Sequence, residues 1–577
     1  MLKLLRFMRA YRKECILSPL FKMLEAVFEL FIPLVVANII NKAIPSGNTR
    51  NLAFSCIIMA LLGAVGLTCT LFAQYFAAKA SVGFASNVKR SLFTHVNSLS
   101  YTEIDELGTS TLITRMTSDA NQVQTGVNLT LRLFMRSPVI VFGAMIMAFF
   151  IDLTAGLVFA IAIIILSLIV FGIMCATIPL YKSVQGKLDS VLDSTRENLA
   201  GARVIRAFRL EDEENIKYKK KTEALNKAQR VVGRISAIMN PATYAIVNIA
   251  ISILVYVGAV QFNIEGLSPG EVVALYNYMS QILIELIKLA NLIITMTKAI
   301  ACGNRIQSVF EVTPSQRIMP SERMESDNIV EFNGAYLRYK GSPEYSLEDI
   351  SFSVKRGETV GIIGSTGSGK SSLVSLIGRF YDCERGQVLF DGLDVRSYEP
   401  AILREKIGYV PQKAVLFKGT LRENLLWGDK NASDDEIIKA IEIAQAKDIL
   451  DTSAKGLDLM IEQGGRNLSG GQRQRFTIAR ALVGKPEVLV LDDSSSALDY
   501  LTDSKLRKAI KELDYNPTVF IVSQRTASIQ HADKIVVLDD GMIVGIGTHG
   551  ELLNSCTVYA GIYNSQFLNV EKGGVGQ

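Results

Sequence analysis

Six apolar stretches in the first half of this 577-residue chain constrain its fold more than any other feature. They lie near 16–41, 52–78, 131–151, 154–181, 235–262 and 272–296. A helix needs about 20 apolar residues to cross the hydrocarbon core of a bilayer, and each stretch is long enough. The sequence therefore predicts an all-α membrane domain of six long transmembrane helices.

The basic residues between these stretches predict the orientation of the chain. The N-terminus, MLKLLRFMRAYRK, and the segments 79–130 and 182–234 carry Lys and Arg, whereas the turn at 151–154 and the loop QFNIEGLSPGE carry none. Because basic loops stay on the cytoplasmic side, both chain ends are expected in the cytoplasm of a multi-pass plasma-membrane protein. The N-terminus is expected to form a helix on the membrane surface. The long inner segments predict helices that continue beyond the bilayer and end in contact turns at 101–112 and 210–221.

Charge and cysteine content exclude other classes of protein. The net charge of +5 does not predict a nucleic-acid partner, because the basic residues are concentrated where a membrane protein needs cytoplasmic anchors. The seven cysteines include no C-x-x-C pair, so neither disulfides nor a zinc site are expected.

Several ionisable residues fall inside or beside the apolar stretches, where charge is costly. They are Glu25, Glu29, Arg132, Arg136, Glu285 and Lys288. Glu285 and Lys288 are three residues apart and can pair along one helix face. We favour a structural interpretation, in which this pair neutralises itself and the two arginines lie at the membrane interface. Direct contact with a substrate is the alternative.

A second domain begins after a linker at 313–328 that is rich in Pro, Ser and Met. The strand pattern ETVGIIG leads into Gly364-Ser-Thr-Gly-Ser-Gly-Lys370-Ser371, and SLVSLIGRF then has helical spacing. A strand, this glycine-rich loop and a helix in that order predict an α/β domain with a phosphate-binding loop. In such a loop the backbone N–H groups and the helix start hold phosphates, so we expect Lys370 to reach the outer phosphates and Ser371 to ligate Mg²⁺.

A second strand, EVLVLDD, ends at Asp492, which is placed to hold the magnesium from the other side of the nucleotide. Between the two strands stand Tyr-Val-Pro-Gln412 and Leu468-Ser-Gly-Gly-Gln472, and Ser496-Ala-Leu-Asp499 follows. This set of motifs resembles the ABC transporter family, and six spans followed by one cassette is the layout of an exporter half. The resemblance extends over nearly the whole chain and includes ENLAGARVIRAF in the membrane half.

The resemblance implies that cassettes work in pairs, with two ATP molecules between the phosphate loop of one and the signature motif of the other. It implies that Tyr339 stacks on adenine, that Gln412 senses the γ-phosphate and magnesium, and that Asp499 lies at the seam between the sites. The expected ATP-binding residues are Tyr339, Gly364, Ser365, Thr366, Gly367, Ser368, Gly369, Lys370, Ser371 and Ser372. The expected Mg²⁺ ligands are Ser371, Gln412 and Asp492. The signature lent to the partner is Leu468, Ser469, Gly470, Gly471 and Gln472.

Two catalytic positions depart from the family pattern. Asp493 stands where active members have the Glu that polarises water, and Gln524 stands where they have a His that contacts the γ-phosphate. Asp is one methylene shorter, about 1.5 Å, and misplacement of about 1 Å can cost on the order of a hundredfold in rate. Gln cannot carry a positive charge or relay a proton. We therefore predict weak hydrolysis at this chain's own site.

The signature motif is intact, and this asymmetry is typical of heterodimeric exporters. We predict the degenerate-site subunit of an ATP-driven exporter of amphipathic drugs, lipids or peptides, paired with a half-transporter that has the Glu and the His. Tyr244, Tyr276 and Tyr278 would suit an amphipathic substrate, or would pack helices. The alternatives are a homodimer with two slow sites and an ATP-gated membrane protein that does not pump. The expected domains are 1–312, the linker 313–328 and 329–577.

Overall fold

The computed structural model describes residues 2–262, 267–452 and 455–572. The chain divides into two compact units. The first contains 1–97 and 109–312, and the second contains 98–108 and 313–577. Each unit is described by itself.

Long α-helices build the first unit. A 3₁₀ helix at Leu2–Tyr11 precedes them, in the segment for which the sequence predicts a helix. In chain order the helices of the N-terminal half are α1 (Arg12–Asn38), α2 (Thr49–Asn97), α3 (Tyr101–Leu107), α4 (Thr109–Thr114), α5 (Ala120–Leu133), α6 (Arg136–Ile151), α7 (Leu153–Ala200), α8 (Ala202–Phe208), α9 (Glu211–Phe262) and α10 (Pro269–Glu311). Short π-helical turns at Ile39–Ala43 and Arg115–Asp119 extend α1 and join α4 to α5.

Six helical segments of the described chain are long and apolar enough to cross a membrane, as predicted. They are Lys3–Ala43, Thr49–Asn97, Thr109–Ile151, Leu153–Ala200, Glu211–Val260 and Pro269–Glu311. Each has 41 to 50 residues, or about 60–75 Å at the helical rise. The hydrocarbon core is only about 30 Å thick, so the helices continue well beyond it.

The turn between the fourth and fifth spans lies earlier than predicted. The sequence pattern suggested a turn at 210–221, but α9 already begins at Glu211, and the chain reverses at 201–210 around the short helix α8. Arg209, with φ at 57°, ends α8 in the left-handed conformation. The acidic run at 211–214 is the first turn of α9, where negative charge complements the helix dipole, rather than part of a loop.

A buried cluster of charges joins α1, α6 and α10. Arg136 donates hydrogen bonds to Glu285, and to Glu29 Oε2 at 2.6 Å, while its Nε lies 3.6 Å from Glu25 Oε1. The predicted pair is confirmed, because Lys288 Nζ lies 2.9 Å from Glu285 Oε1. Arg136 itself is only 8% exposed. The interpretation of Arg136 as an interfacial residue is therefore wrong, since the carboxylates of two other helices hold it inside the bundle.

The second unit has an α/β architecture, so the predicted fold class is confirmed. Its strands are β1 (Asn328–Leu337), β2 (Leu347–Lys355), β3 (Thr359–Gly364), β4 (Arg385–Phe390), β5 (Leu393–Asp394), β6 (Ile407–Val410), β7 (Gly419–Thr420), β8 (Met460–Ile461), β9 (Val488–Asp492), β10 (Thr518–Val522), β11 (Lys534–Asp539) and β12 (Met542–Gly547). Its further helices are α11 (Lys370–Ile377), α12 (Pro400–Glu405), α13 (Leu421–Leu425), α14 (Asp434–Ile443), α15 (Lys447–Thr452), α16 (Gly470–Val483), α17 (Tyr500–Lys511), α18 (Thr526–Ile529), α19 (His549–Ser555) and α20 (Thr557–Lys572).

Two larger sheets organise this unit. A six-stranded sheet has the order β12-β11-β3-β10-β9-β6, in which β11, β3, β10, β9 and β6 are parallel and β12 is antiparallel to β11. A four-stranded antiparallel sheet has the order β2-β1-β4-β5. The central strands β3, β9 and β10 are almost entirely buried. Ligands of such sheets bind at the carboxyl ends of the parallel strands, where β3, β9 and β10 meet.

The short helix α3 packs within the second unit. The Tyr101 ring lies 5.1 Å from that of Phe380, and Asp105 Oδ2 accepts a hydrogen bond of 2.6 Å from the hydroxyl of Tyr381. Glu106 pairs with Lys340 Nζ at 2.6 Å. Residues 98–108, which include the larger part of the predicted contact turn at 101–112, thus form part of the compact unit that contains the sheets.

Candidate nucleotide site

The phosphate-loop sequence connects β3 to α11, as the motif predicts. Gly367 and Gly369 have φ angles of +88° and +93°, which side chains other than glycine rarely adopt. A Cβ atom on Gly369 would also lie 2.7 Å from Ser346 O. The loop therefore needs glycine at these positions to turn tightly into the start of α11, where unpaired N–H groups and the helix dipole favour an anion.

Lys370 and Ser371 line a cleft of about 440 Å³. Lys370 Nζ donates to Ser365 O at 2.5 Å and to Gly364 O at 3.0 Å. Burial lowers the pKa of Lys370, and burial together with the neighbouring Asp493 raises the pKa of Asp492. Both charged forms are thus penalised by desolvation, and a phosphate beside Lys370 with a cation beside Asp492 would relieve this penalty.

The oxygen atoms at the end of β9 fit a magnesium ion. Ser371 Oγ donates to Asp492 Oδ1 at 2.9 Å, so the predicted hydroxyl and carboxylate ligands are adjacent. Mg²⁺ in proteins often takes one or two protein oxygens and completes its octahedron with phosphate and water. Ser371 and Asp492 would hold the ion, which would neutralise charge on the phosphates. Gln412 also lines the cleft.

The two departures from the family pattern lie in the same cleft. Asp493 follows β9 in the left-handed conformation, with φ at 46°, and its Oδ2 accepts a hydrogen bond of 3.0 Å from Gln412 Nε2. Gln524 lines the cleft at the end of β10. No histidine is among the described residues that line it. The arrangement can bind phosphates and a metal, but Gln524, which carries no charge, stands where the family pattern has a histidine.

Tyr339 also lines the cleft, next to the start of α11. Its hydroxyl is 2.9 Å from Ser372 Oγ, and its ring meets Tyr381 edge to face, with centroids 5.0 Å apart. Burial raises the pKa of Tyr339, so the ring is neutral at physiological pH. These contacts fix the ring on the wall of the cleft, where the resemblance implies adenine stacking.

The signature residues and Asp499 do not line this cleft. Ser469 caps α16, where its Oγ accepts from Gln472 N and Gln472 Oε1 accepts from Ser469 N. Asp499 caps α17 by accepting a hydrogen bond of 3.1 Å from Thr502 N. The start of α16 is accordingly an ordered helix N-terminus, which suits the predicted role of offering N–H groups to a phosphate held by another cassette.

Sequence reasoning missed Tyr409 and the loop at 342–346. The Tyr409 hydroxyl donates to Asp492 Oδ2 at 3.2 Å, and burial raises the Tyr409 pKa. The motif Tyr-Val-Pro-Gln412 contains this residue, but spacing alone does not show that strand β6 places it beside β9. Glu344, Tyr345 and Asp540 also line the cleft.

Removing the Tyr339 ring should weaken ATP binding without destroying the site. We expect Tyr339→Ala to raise the dissociation constant for ATP by about tenfold, because stacking on a base contributes about 1–3 kcal/mol. Tyr339→Phe should keep the affinity within about twofold, since it removes only the bond to Ser372. Displacement of a fluorescent ATP analogue measures both variants. Equal losses in Ala and Phe would contradict adenine stacking.

Comparisons with known proteins identify the family to which the chain belongs. Residues 15–286 match the ABC transporter transmembrane region, and residues 347–496 match the family described as ABC transporter. The chain is 33% identical over 585 residues to an uncharacterised ABC transporter ATP-binding protein of Mycobacterium tuberculosis, covering 100% of both chains. It is 31% identical to the Bacillus subtilis protein YgaD, named as a multidrug export ATP-binding/permease protein, over 99% of this chain and 100% of that one.

A solved structure has the same fold. A bacterial Atm1-family ABC exporter with ATP bound aligns with a TM-score of 0.81 at 22% identity, covering 97% of this chain and 100% of that one. The chain has six apolar helices followed by an α/β unit that carries a phosphate loop. The two family models match it from the first span through the phosphate loop and Asp493. The chain belongs to the ABC transporter family and is an exporter half-transporter, a multi-pass membrane protein with an ATPase cassette in the cytoplasm.

Proposed function

We propose that this chain is the degenerate-site subunit of a heterodimeric ABC exporter that moves amphipathic small molecules outward across the plasma membrane. Residues 1–312 form its membrane domain, 313–328 the linker and 329–577 the cassette. The nucleotide site consists of the phosphate loop, Tyr339, Gln412, Asp492 and Mg²⁺. The partner supplies a signature motif to this site and receives the motif at 468–472 in return.

One observation carries this proposal: Asp493 and Gln524, which replace the Glu and the His of the family pattern, both line the phosphate cleft. The Asp493 carboxylate is about 1.5 Å shorter in reach than that of Glu and accepts a hydrogen bond from Gln412 Nε2. Gln524 donates and accepts hydrogen bonds but carries no charge. Such a site retains ATP and leaves most hydrolysis to the partner's site.

Contacts within the second unit support transmission of ATP binding as far as α3, which lies between the second and third spans in the chain. Phe380 touches Tyr101 of α3 and meets Tyr409 edge to face, with centroids 4.9 Å apart. Tyr409 in turn donates to Asp492, the proposed magnesium ligand. A change at the metal thus reaches α3 through three packed aromatic rings. ATP must favour the closed form by about 5.5 kcal/mol to shift the population almost completely.

Support for an amphipathic substrate comes from the name of the YgaD relative and from exposed aromatic rings. Tyr244 and Tyr276 are 56% and 51% exposed in the first unit. Tyr278, by contrast, is fully buried, and its hydroxyl donates to Leu30 O at 2.5 Å. Tyr278 therefore packs α10 against α1, and of the three tyrosines only Tyr244 and Tyr276 support the substrate assignment.

Native mass spectrometry of the tagged chain, purified gently from its own host's membranes, tests the heterodimer. We expect a complex with one other half-transporter that carries the Glu and the His. A homodimer would contradict the proposal and would leave Asp493 and Gln524 to support hydrolysis themselves.

Transport by the purified complex in vesicles tests the pumping function. We expect ATP to drive accumulation of an amphipathic dye such as Hoechst 33342 in inside-out vesicles. A dye that only runs down its gradient when ATP is added would indicate an ATP-gated pathway instead.

A further inference from the structure

The C-terminal helix α20 contacts the segment that carries Gln524. Gln566 Nε2 donates a hydrogen bond of 2.7 Å to the backbone oxygen of Gln524. Gln566 Oε1 accepts from both Thr526 N and Thr526 Oγ1, each at 2.9 Å. One side chain from α20 therefore binds the residues on both sides of Arg525, and one of them, Gln524, lines the cleft.

The local sequence explains why this segment needs an external partner. Helix α18 begins at Thr526, and its N-cap residue, Arg525, provides no side-chain hydrogen bond. The first N–H groups of a helix have no partner within it, and burial without one is costly. Thr526 is completely buried. Gln566 supplies the missing acceptor from a helix 40 residues away.

The orientation of the Gln566 amide follows from its partners. Gln524 O can only accept and Thr526 N can only donate, so the amide fits in one of its two orientations. The other end of the segment is held by the sheet, because Ser523 N donates to Ile362 O at 3.0 Å. Gln524 thus lies between an anchor on β3 and an anchor on α20.

We propose that Gln566 is a positioning residue that sets the contact of Gln524 with the γ-phosphate, so that α20 tunes ATP retention at this chain's site. The inference rests on the proposed role of Gln524 in a nucleotide-retaining site. Gln566 is not among the residues that line the cleft, and it acts through the backbone of Gln524. It should therefore affect recognition of the γ-phosphate and leave the adenine and inner-phosphate contacts unchanged.

Competition between ATP and ADP separates these two effects. The full complex is photolabelled with radioactive 8-azido-ATP, and unlabelled ATP or ADP competes for this chain's band after electrophoresis. We expect Gln566→Leu to weaken competition by ATP about fivefold, the change in affinity that corresponds to one ordinary hydrogen bond. Competition by ADP should not change. Gln566→Glu keeps the acceptor for Thr526 but loses the donor to Gln524 O, and should give the same selective loss.

The controls distinguish failure of this inference from failure of the proposed function. Asn564→Ala, at an exposed position of α20, should leave both competitions unchanged. Gln524→Ala should weaken competition by ATP more than competition by ADP. If it does not, the proposed role of Gln524 is wrong. The positioning role is overturned if Gln524→Ala has this effect but both Gln566 variants compete like the parent. It is also overturned if both Gln566 variants weaken competition by ATP and by ADP equally.

Discussion

Replacing Asp493 with Asn should leave the ATPase rate of the purified complex within about twofold of the parent. Replacing the Glu that we propose at the aligned position of the partner with Gln should lower the rate about a hundredfold or more, as expected when a catalytic group is lost or misplaced. The initial rate of phosphate release under saturating Mg²⁺ and ATP measures both variants.

The physical reason for this asymmetry is the position of the Asp493 carboxylate. The side chain is short by one methylene, and its Oδ2 is 3.0 Å from Gln412 Nε2. The backbone of Asp493 has the left-handed conformation directly after β9, and this conformation sets the direction of its side chain. An attacking water near the γ-phosphate would therefore find a more distant base here than in the partner's site.

Asp492→Asn is the matched control for this prediction, because it removes the proposed magnesium ligand one residue earlier. It should weaken Mg²⁺-dependent ATP binding to this chain, whereas Asp493→Asn should not. A strong loss of ATPase activity from Asp493→Asn alone would show that this site hydrolyses ATP and would contradict the division of labour. Asp493→Glu gives a further readout. A higher ATPase rate in this variant would show that the short side chain of Asp493 limits hydrolysis at this site.

Replacing Arg136 with Met should destabilise the membrane unit by about 3–5 kcal/mol, the usual cost of removing one partner from a buried ion pair. The cluster contains three cations and three carboxylates, and the variant leaves one carboxylate uncompensated. Its members are Lys22, Glu25, Glu29, Arg136, Glu285 and Lys288. We expect a drop of roughly 10 °C in the temperature at which half of the detergent-solubilised complex is lost.

Two further variants identify the cause of this loss. Arg132→Met changes an arginine of the same span whose Nε has no hydrogen-bond partner within the described residues, and should cost far less. Arg136→Met combined with Glu285→Gln restores equal numbers of cations and carboxylates, and should recover about half of the stability. Size-exclusion chromatography measures the fraction of the detergent-solubilised complex that remains after heating. Equal stability of Arg136→Met and the parent would show that the cluster does not hold the helices together.

The sequence by itself determined the features that depend on local pattern. A membrane span is a continuous apolar segment, so six of them were predictable, and the described residues contain six such helices. The phosphate loop is a contiguous motif whose strand and helix are adjacent in the chain, so its position between β3 and α11 was also predictable. The residues at Asp493 and Gln524 could likewise be compared with the family pattern without a structure.

Only the tertiary structure decided the contacts between distant residues. Arg136, which was expected at the membrane interface, lies in a cluster with carboxylates that are more than 100 residues away in the chain. The tertiary structure placed Tyr409 on Asp492, and Gln566 on the backbone of Gln524. Helix and strand periodicity reports which face of an element is buried, but not which other element packs against it. For that physical reason the partners of these side chains emerged only from the fold.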